Sequence, residues 1–223
     1  MTTPKSVLMV LTNHDHIDDE HPTGLWFEEF AVPYARFCDQ GYHVTVASPR
    51  GGTVPIDPRS MPDDAESSAN REALEALRDT QALDELDIEQ FDAVFFPGGH
   101  GTMYDMPGNA AVAQLVGRFA DEDKVVAAVC HGPAALLDAQ RADGTPVVKG
   151  HRIAAFTNAE EAAVELDGLM PFLLESRLRE LGADVDAAAP WRDHVIVDGR
   201  LVTGQNPQSS GSAADAVIRL LSA

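Results

Sequence analysis

Three short apolar runs set the terms for this chain: residues 6–11 (SVLMVL), 93–96 (AVFF) and 125–129 (VVAAV). Each lacks the polar alternation of a half-exposed strand, so each must be covered on both faces. Helix-like segments lie between them, which is the pattern of a mostly parallel sheet between two helical layers. The expected class is α/β. With 223 residues the chain has room for one such domain carrying small inserted loops or caps, and little room for two folds. No repeat or linker divides it, so residues 1–223 are read as a single domain.

The remaining segments fit the same pattern. A helix is expected over residues 25–40, a strand over 43–47 (HVTVA), and a short amphipathic segment over 71–78. Residues 51–70, rich in Gly, Pro, Ser and Asp, form an excursion of a length that is usually functional or disordered. Later come strands over 152–156 and 185–189, with a helix over 172–181 between them. A hairpin of 195–197 and 201–203 turns across Asp198-Gly199, and a helix over 207–221 closes the chain.

Charge narrows the range of partners. Acidic residues number 36 against 16 basic ones, a formal net charge of −20. A surface this negative repels phosphate backbones and anionic headgroups, so neither nucleic acid nor a membrane surface is an expected partner. The acids divide into 22 Asp and 14 Glu, and Lys5, Lys124 and Lys149 are the only lysines beside 13 Arg. Such a composition suits a high-salt setting, where screening blunts repulsion, or simply a genome that favours Arg codons. No apolar stretch is long enough to span a bilayer, and the start of the chain lacks a signal-peptide pattern. Cys38 and Cys130 show no disulfide framework or zinc spacing, so a reducing cytoplasm is the expected location.

Active sites of open α/β sheets sit beyond the carboxyl ends of strands, and two such ends here carry unusual residues. The run 125–129 breaks into Cys130-His131-Gly132-Pro133, where a strand-to-helix turn exposes a nucleophile. A helix N-terminus beside the sulfur favours its thiolate. A free Cys is more often a small buried hydrophobe, but the adjacent His and the Gly-Pro step argue for chemistry. The run 93–96 breaks into Pro97-Gly98-Gly99-His100-Gly101, whose bare backbone N–H groups suit a substrate oxygen. This loop matches neither GxGxxG nor a Walker motif.

Together with Thr23-Gly24-Leu25-Trp26-Phe27-Glu28-Glu29, Phe156-Thr157-Asn158-Ala159-Glu160-Glu161 and the segment Pro190-Trp191 to Pro207, these motifs resemble the DJ-1/PfpI superfamily. Within it they are most similar to the Hsp31-like glutathione-independent glyoxalases. The resemblance implies a flavodoxin-like three-layer sandwich and a lyase that makes lactate from methylglyoxal. It implies Cys130 as nucleophile, His131 as acid/base, Glu29 as the carboxyl meeting the thiol, and Glu161 as the acid orienting His131. Gly99 and His131, with Gly98 and His100 beside them, would hold the substrate oxygen. Glu28 and Glu160 compete for the two carboxyl roles. Glu28 and Glu29 point about 100° apart on a helix, so only one faces the sheet end. A Glu beside Cys130 should have a raised pKa through desolvation and the neighbouring sulfur. No metal or organic cofactor is implied, and a homodimer is expected from the superfamily.

Alternatives remain on sequence grounds. Protein or nucleotide deglycation would use the same residues, and a PfpI-like hydrolase is open by fold analogy. A holdase chaperone or a redox sensor is the non-enzymatic alternative. Glutaminase chemistry is disfavoured because no His-x-Glu occurs. His14, His16 and His21 share a loop with four acids, a cluster able to hold a cation but without recognised ligand spacing. Trp26, Tyr104, Phe156 and Trp191 are candidate pocket walls, and Cys38 reads as structural.

Overall fold

The computed structural model describes residues 4–64 and 67–223, so Ala65 and Glu66 of the 51–70 excursion lie outside it. Among the described residues, eleven strands run in chain order. They are β1 (Ser6–Val10), β2 (His16–Asp18), β3 (His21–Pro22), β4 (His43–Ser48), β5 (Gln81–Ala82) and β6 (Ala93–Phe96). Then come β7 (Val125–Val129), β8 (Arg152–Ile153), β9 (Asp184–Val185), β10 (Val195–Asp198) and β11 (Leu201–Gly204). Seven α-helices accompany them among the described residues: α1 (Phe27–Asp39), α2 (Ser68–Ala76), α3 (Thr102–Asp105), α4 (Ala110–Asp121), α5 (Asn158–Ala163), α6 (Leu174–Glu180) and α7 (Ser210–Ser222).

Seven strands make one sheet in the order β10-β11-β7-β6-β1-β4-β5, parallel throughout except for β10. The two-residue period of each strand sorts its side chains onto two faces. Leu8, Val10, Val94, Phe96, Val126 and Ala128 pack with α4 and α6 on one face. Val7, Met9, Ala93, Phe95, Val125 and Ala127 pack with α1 and α7 on the other. This double burial is why β1, β6 and β7 carry no polar residue after Ser6. The architecture is the expected flavodoxin-like sandwich.

The chain runs outward from β1 to β4 and β5, then returns to β6 on the other flank of β1. That reversal leaves a crevice beyond the carboxyl ends of β1 and β6, next to β7. Two expected strands are shorter than their apolar runs. Residues 152–156 and 185–189 contribute only β8 and β9, which pair with each other outside the main sheet. The Ala154 N–H donates instead to Thr203 Oγ1, and the Phe156 N–H to the carbonyl of Cys130. The main-chain donors of this segment thus lock the crevice and do not extend a ladder.

Candidate active site

Cys130 follows β7 with φ at +58°, a left-handed conformation uncommon for a residue with a side chain. Two bonds hold it there. Its N–H donates to Gly204 O at 2.9 Å, and its carbonyl accepts from Phe156 N–H at 2.9 Å. The turn then enters a five-residue 3-10 helix, Gly132–Leu136. So short a helix has little dipole, and the expected thiolate-favouring helix end does not prevail. Burial, reinforced by the charge of Glu29, pushes the Cys130 thiol well up, and the N–H groups of His131 and Gly99 only partly offset this.

Glu29 sits in the first turn of α1, fully buried, whereas Glu28 faces solvent. Glu29 Oε2 accepts the Gly98 N–H at 2.6 Å, and its carboxyl also interacts with the Cys130 thiol. Its other oxygen, Oε1, is buried without a fixed partner among the described residues. Burial raises the carboxyl to about 8, so it is largely protonated at neutral pH. Gly98 therefore differs from expectation: its N–H serves Glu29, not a substrate oxygen. A Cβ there would lie 2.6 Å from the His131 nitrogen and 2.9 Å from Glu29 Oε2. Gly99 and His131 supply the two N–H groups that face the sulfur.

Glu161, on α5, gives one carboxylate oxygen to each of two imidazoles. Oε2 lies 2.8 Å from His131 Nε2, and Oε1 lies 2.8 Å from His100 Nε2. Burial works to raise this carboxyl, but the two imidazole bonds outweigh it and hold it well below the ordinary carboxylate range. Burial and the neighbouring His131 lower His100 to about 4, so His100 is neutral. In the neutral tautomer that donates Nε2–H to Glu161, the other ring nitrogen is an acceptor. For His131 that acceptor, Nδ1, lies 3.4 Å from Cys130 Sγ. The arrangement supplies a base for the thiol proton.

Glu160, the neighbour of Glu161, is equally buried but faces other groups. It caps α5 through Thr157 and accepts from Trp191 N–H, Gln205 Nε2 and Asn206 Nδ2. It thereby fixes Trp191, whose φ is +64°, at the mouth of the site. A cavity of about 150 Å³ opens on Cys130, Gly99, His100 and His131. Trp26, Phe156 and Trp191 wall it as expected. Tyr104 does not, and stacks on His14 at 4.4 Å between ring centres.

Arg59 lines the same cavity and had no sequence signal beyond its place in the long excursion. Its Nε and Nη2 donate to the buried carboxylate of Asp57 at 2.9 and 2.6 Å. The histidine loop forms no joint site: His16 pairs with Asp15 and His21 with Asp18. Among the described residues, His100, His131 and Glu161 are the group able to hold a metal, with donor atoms within 4.8 Å of one another. A cation there would have to displace both imidazole–carboxylate bonds. Cys38, read as structural, lies exposed on α1 beside Tyr34.

The DJ-1/PfpI family model matches residues 24–220, which spans every group described above. The chain belongs to the DJ-1/PfpI family. Within it, the glutathione-independent glyoxalase hsp3101 of Schizosaccharomyces pombe is 32% identical, over 99% of this chain and 97% of that protein. The crystal structure of glyoxalase III from Candida albicans superposes with a TM-score of 0.86 at 29% identity, covering 96% of both chains. The Rapid Encystment Protein 24 kDa of Francisella tularensis reaches 0.91 at 35% identity, over 97% of this chain and 99% of that one. No helix among the described residues is long and apolar enough to cross a membrane.

Proposed function

We propose that this chain is a glutathione-independent glyoxalase converting methylglyoxal to lactate at Cys130. The observation that carries the reading is the convergence of a thiol, an imidazole–carboxylate pair and a second, protonatable carboxyl on one small cavity. His131 Nδ1 takes the thiol proton, with Glu161 stabilising the imidazolium that forms. The thiolate adds to the aldehyde carbon C1, and the oxygen that gains charge meets the N–H groups of Gly99 and His131. His131 returns the proton to give a neutral hemithioacetal.

Glu29, once ionised, removes the C1 hydrogen as a proton. The C–H electron pair becomes the C1–C2 double bond, and the C2 carbonyl π pair moves onto its oxygen. Protonation at C2 and passage of the C1 hydroxyl proton to the C2 oxygen give a lactoyl thioester, which water hydrolyses to lactate and free Cys130. C1 is oxidised and C2 reduced within one molecule, so the sequence of steps needs no external oxidant. A raised carboxyl suits the task, because a carboxylate of higher pKa is a stronger base.

Loss of methylglyoxal without glutathione, matched by formation of lactate, tests the reading. Cys130→Ala should abolish both. A wild-type protein that suppresses aggregation of a client but leaves methylglyoxal untouched would move the assignment to the holdase class. The reading also carries a reducing cytoplasmic setting, which keeps the thiol free, and a homodimer, checked by light scattering on the eluted protein.

A further inference from the structure

A 1,2-dicarbonyl brings two oxygens into the cavity, and the donors around Cys130 account for one of them. The N–H groups of Gly99 and His131 face the sulfur and serve the oxygen on C1. The Gly98 N–H is tied to Glu29, and His100 and His131 each direct their Nε2–H to Glu161. Phe156, Val164 and Pro207, which complete the wall, offer no side-chain donor, and Trp26 and Trp191 have one neutral indole N–H each. An oxygen left unpaired in such surroundings is costly, and more so when it gathers charge.

Arg59 is the charged donor of this wall, the kind best suited to an oxygen that gathers charge. The Asp57 carboxylate that grips it is fully buried and is itself held by Thr23 Oγ1 at 3.0 Å and by the Arg59 N–H at 2.9 Å. The guanidinium lies 5.9 Å from the centre of the Trp26 ring, and its Nη2 is 3.3 Å from His100 Nδ1. Nη1 makes no hydrogen bond to another group among the described residues. Asp57 neutralises most of the charge, so the group acts as a fixed, directional donor more than as an attractor of anions.

We propose that Arg59 contacts the substrate, donating from its free Nη1 to the C2 oxygen of the bound dicarbonyl and holding that oxygen as it becomes the enediolate. The proposal rests on the glyoxalase reading and deepens it. It restricts the ligand class to small molecules oxygenated on two adjacent carbons.

Two measurements test it on the full chain. Turnover of methylglyoxal by wild type tests the glyoxalase reading itself. The Arg59 contact is read separately, from protection of Cys130 against iodoacetamide by D-lactate, whose C2 also carries oxygen. Arg59→Lys keeps a cation for Asp57 but lacks the second donor arm, and the pair Asp57→Asn with Arg59→Met removes the charge pair together. Both variants should need at least tenfold more lactate for half-protection, with the alkylation rate of the unliganded thiol within about twofold of wild type. In turnover, Arg59→Lys should lose kcat/KM by about 10–100-fold, mostly in kcat, as expected for an interaction strongest in the transition state. Equal protection in wild type and variants overturns the contact whatever the turnover shows. So does a wild type that lactate fails to protect.

Discussion

The Glu29 carboxyl reaches the Cys130 thiol from the first turn of α1, with one oxygen fixed by Gly98 and the other without a fixed bond among the described residues. That asymmetry divides the carboxyl into an anchored half and a working half. Gln at this position keeps an acceptor for Gly98 but cannot take a proton. Glu29→Gln should reduce lactate formation by at least a thousandfold while Cys130 remains open to alkylation, measured by initial rates and intact-mass analysis.

The same carboxyl sets a pH dependence. Glu29 must be ionised to remove the C1 proton, and burial raises it to about 8. Activity of the free enzyme should therefore climb as pH rises through about 8. A kcat/KM profile that is flat from pH 6 to 9 would contradict the assignment.

Stability should run the other way. A carboxyl raised in the fold binds its proton more tightly than in the unfolded chain. Its contribution is full below the unfolded value of 4.5 and is lost as pH climbs to about 8. Glu29→Gln removes this liability, so the variant should gain about 4–5 kcal/mol over wild type at pH 9 and much less at pH 5. Thermal melts at the two pH values decide it.

The adjacent acids of α5 should separate by experiment. Glu161→Gln places an amide N–H₂ against one of two imidazole N–H groups, and should cost at least a hundredfold in kcat. Glu160→Gln should leave the thiol's reactivity close to wild type but lower stability by about 1–3 kcal/mol, since four sets of donors lean on it. Trp191 fluorescence should shift to the red in the Glu160 variant only.

Much of this site is legible in the amino-acid sequence because local rules enforce it. β7 is a fully apolar pentad, so the chain has to leave the sheet at Cys130. Glu29 and not Glu28 faces inward because helical rotation admits only one of them. The choice between Glu160 and Glu161 lies beyond any local rule: both are buried, and their roles depend on Gln205 and Asn206 on one side and His100 on the other. Arg59 is equally illegible. Nothing periodic marks residues 51–70, and the value of Arg59 comes from Asp57 meeting Thr23 across 34 positions. Strands β8 and β9 fall short of their expected lengths because the N–H groups beyond them are claimed outside a ladder, Ala154 by Thr203, Phe156 by the Cys130 carbonyl and Ala188 by the Gln205 side chain.

The negative surface lies apart from the chemistry. Of 36 acids, Glu29 and Glu161 touch the thiol or its base, and Asp57 holds Arg59. If the remaining excess is an adaptation to salt, melting temperature should rise steadily between 0.05 and about 2 M KCl as repulsion is screened. A melting temperature that falls over this range would leave the composition to codon usage alone.

Pairing an inward glutamate with a differently employed neighbour makes the enzyme a detector of helical phase. One residue inserted within the first turn of α1, ahead of Glu29, need not disturb the sheet, yet it rotates Glu29 by about 100° relative to the residues before it. Glu29 would leave the sulfur, and Glu28 or the inserted residue would take its bearing. Homologous chains of this length can therefore keep every strand and still fall silent through a single insertion at either glutamate pair. Scoring sequences for the phase of Glu28-Glu29 and Glu160-Glu161, more than for the presence of Cys130, should separate active from inactive relatives.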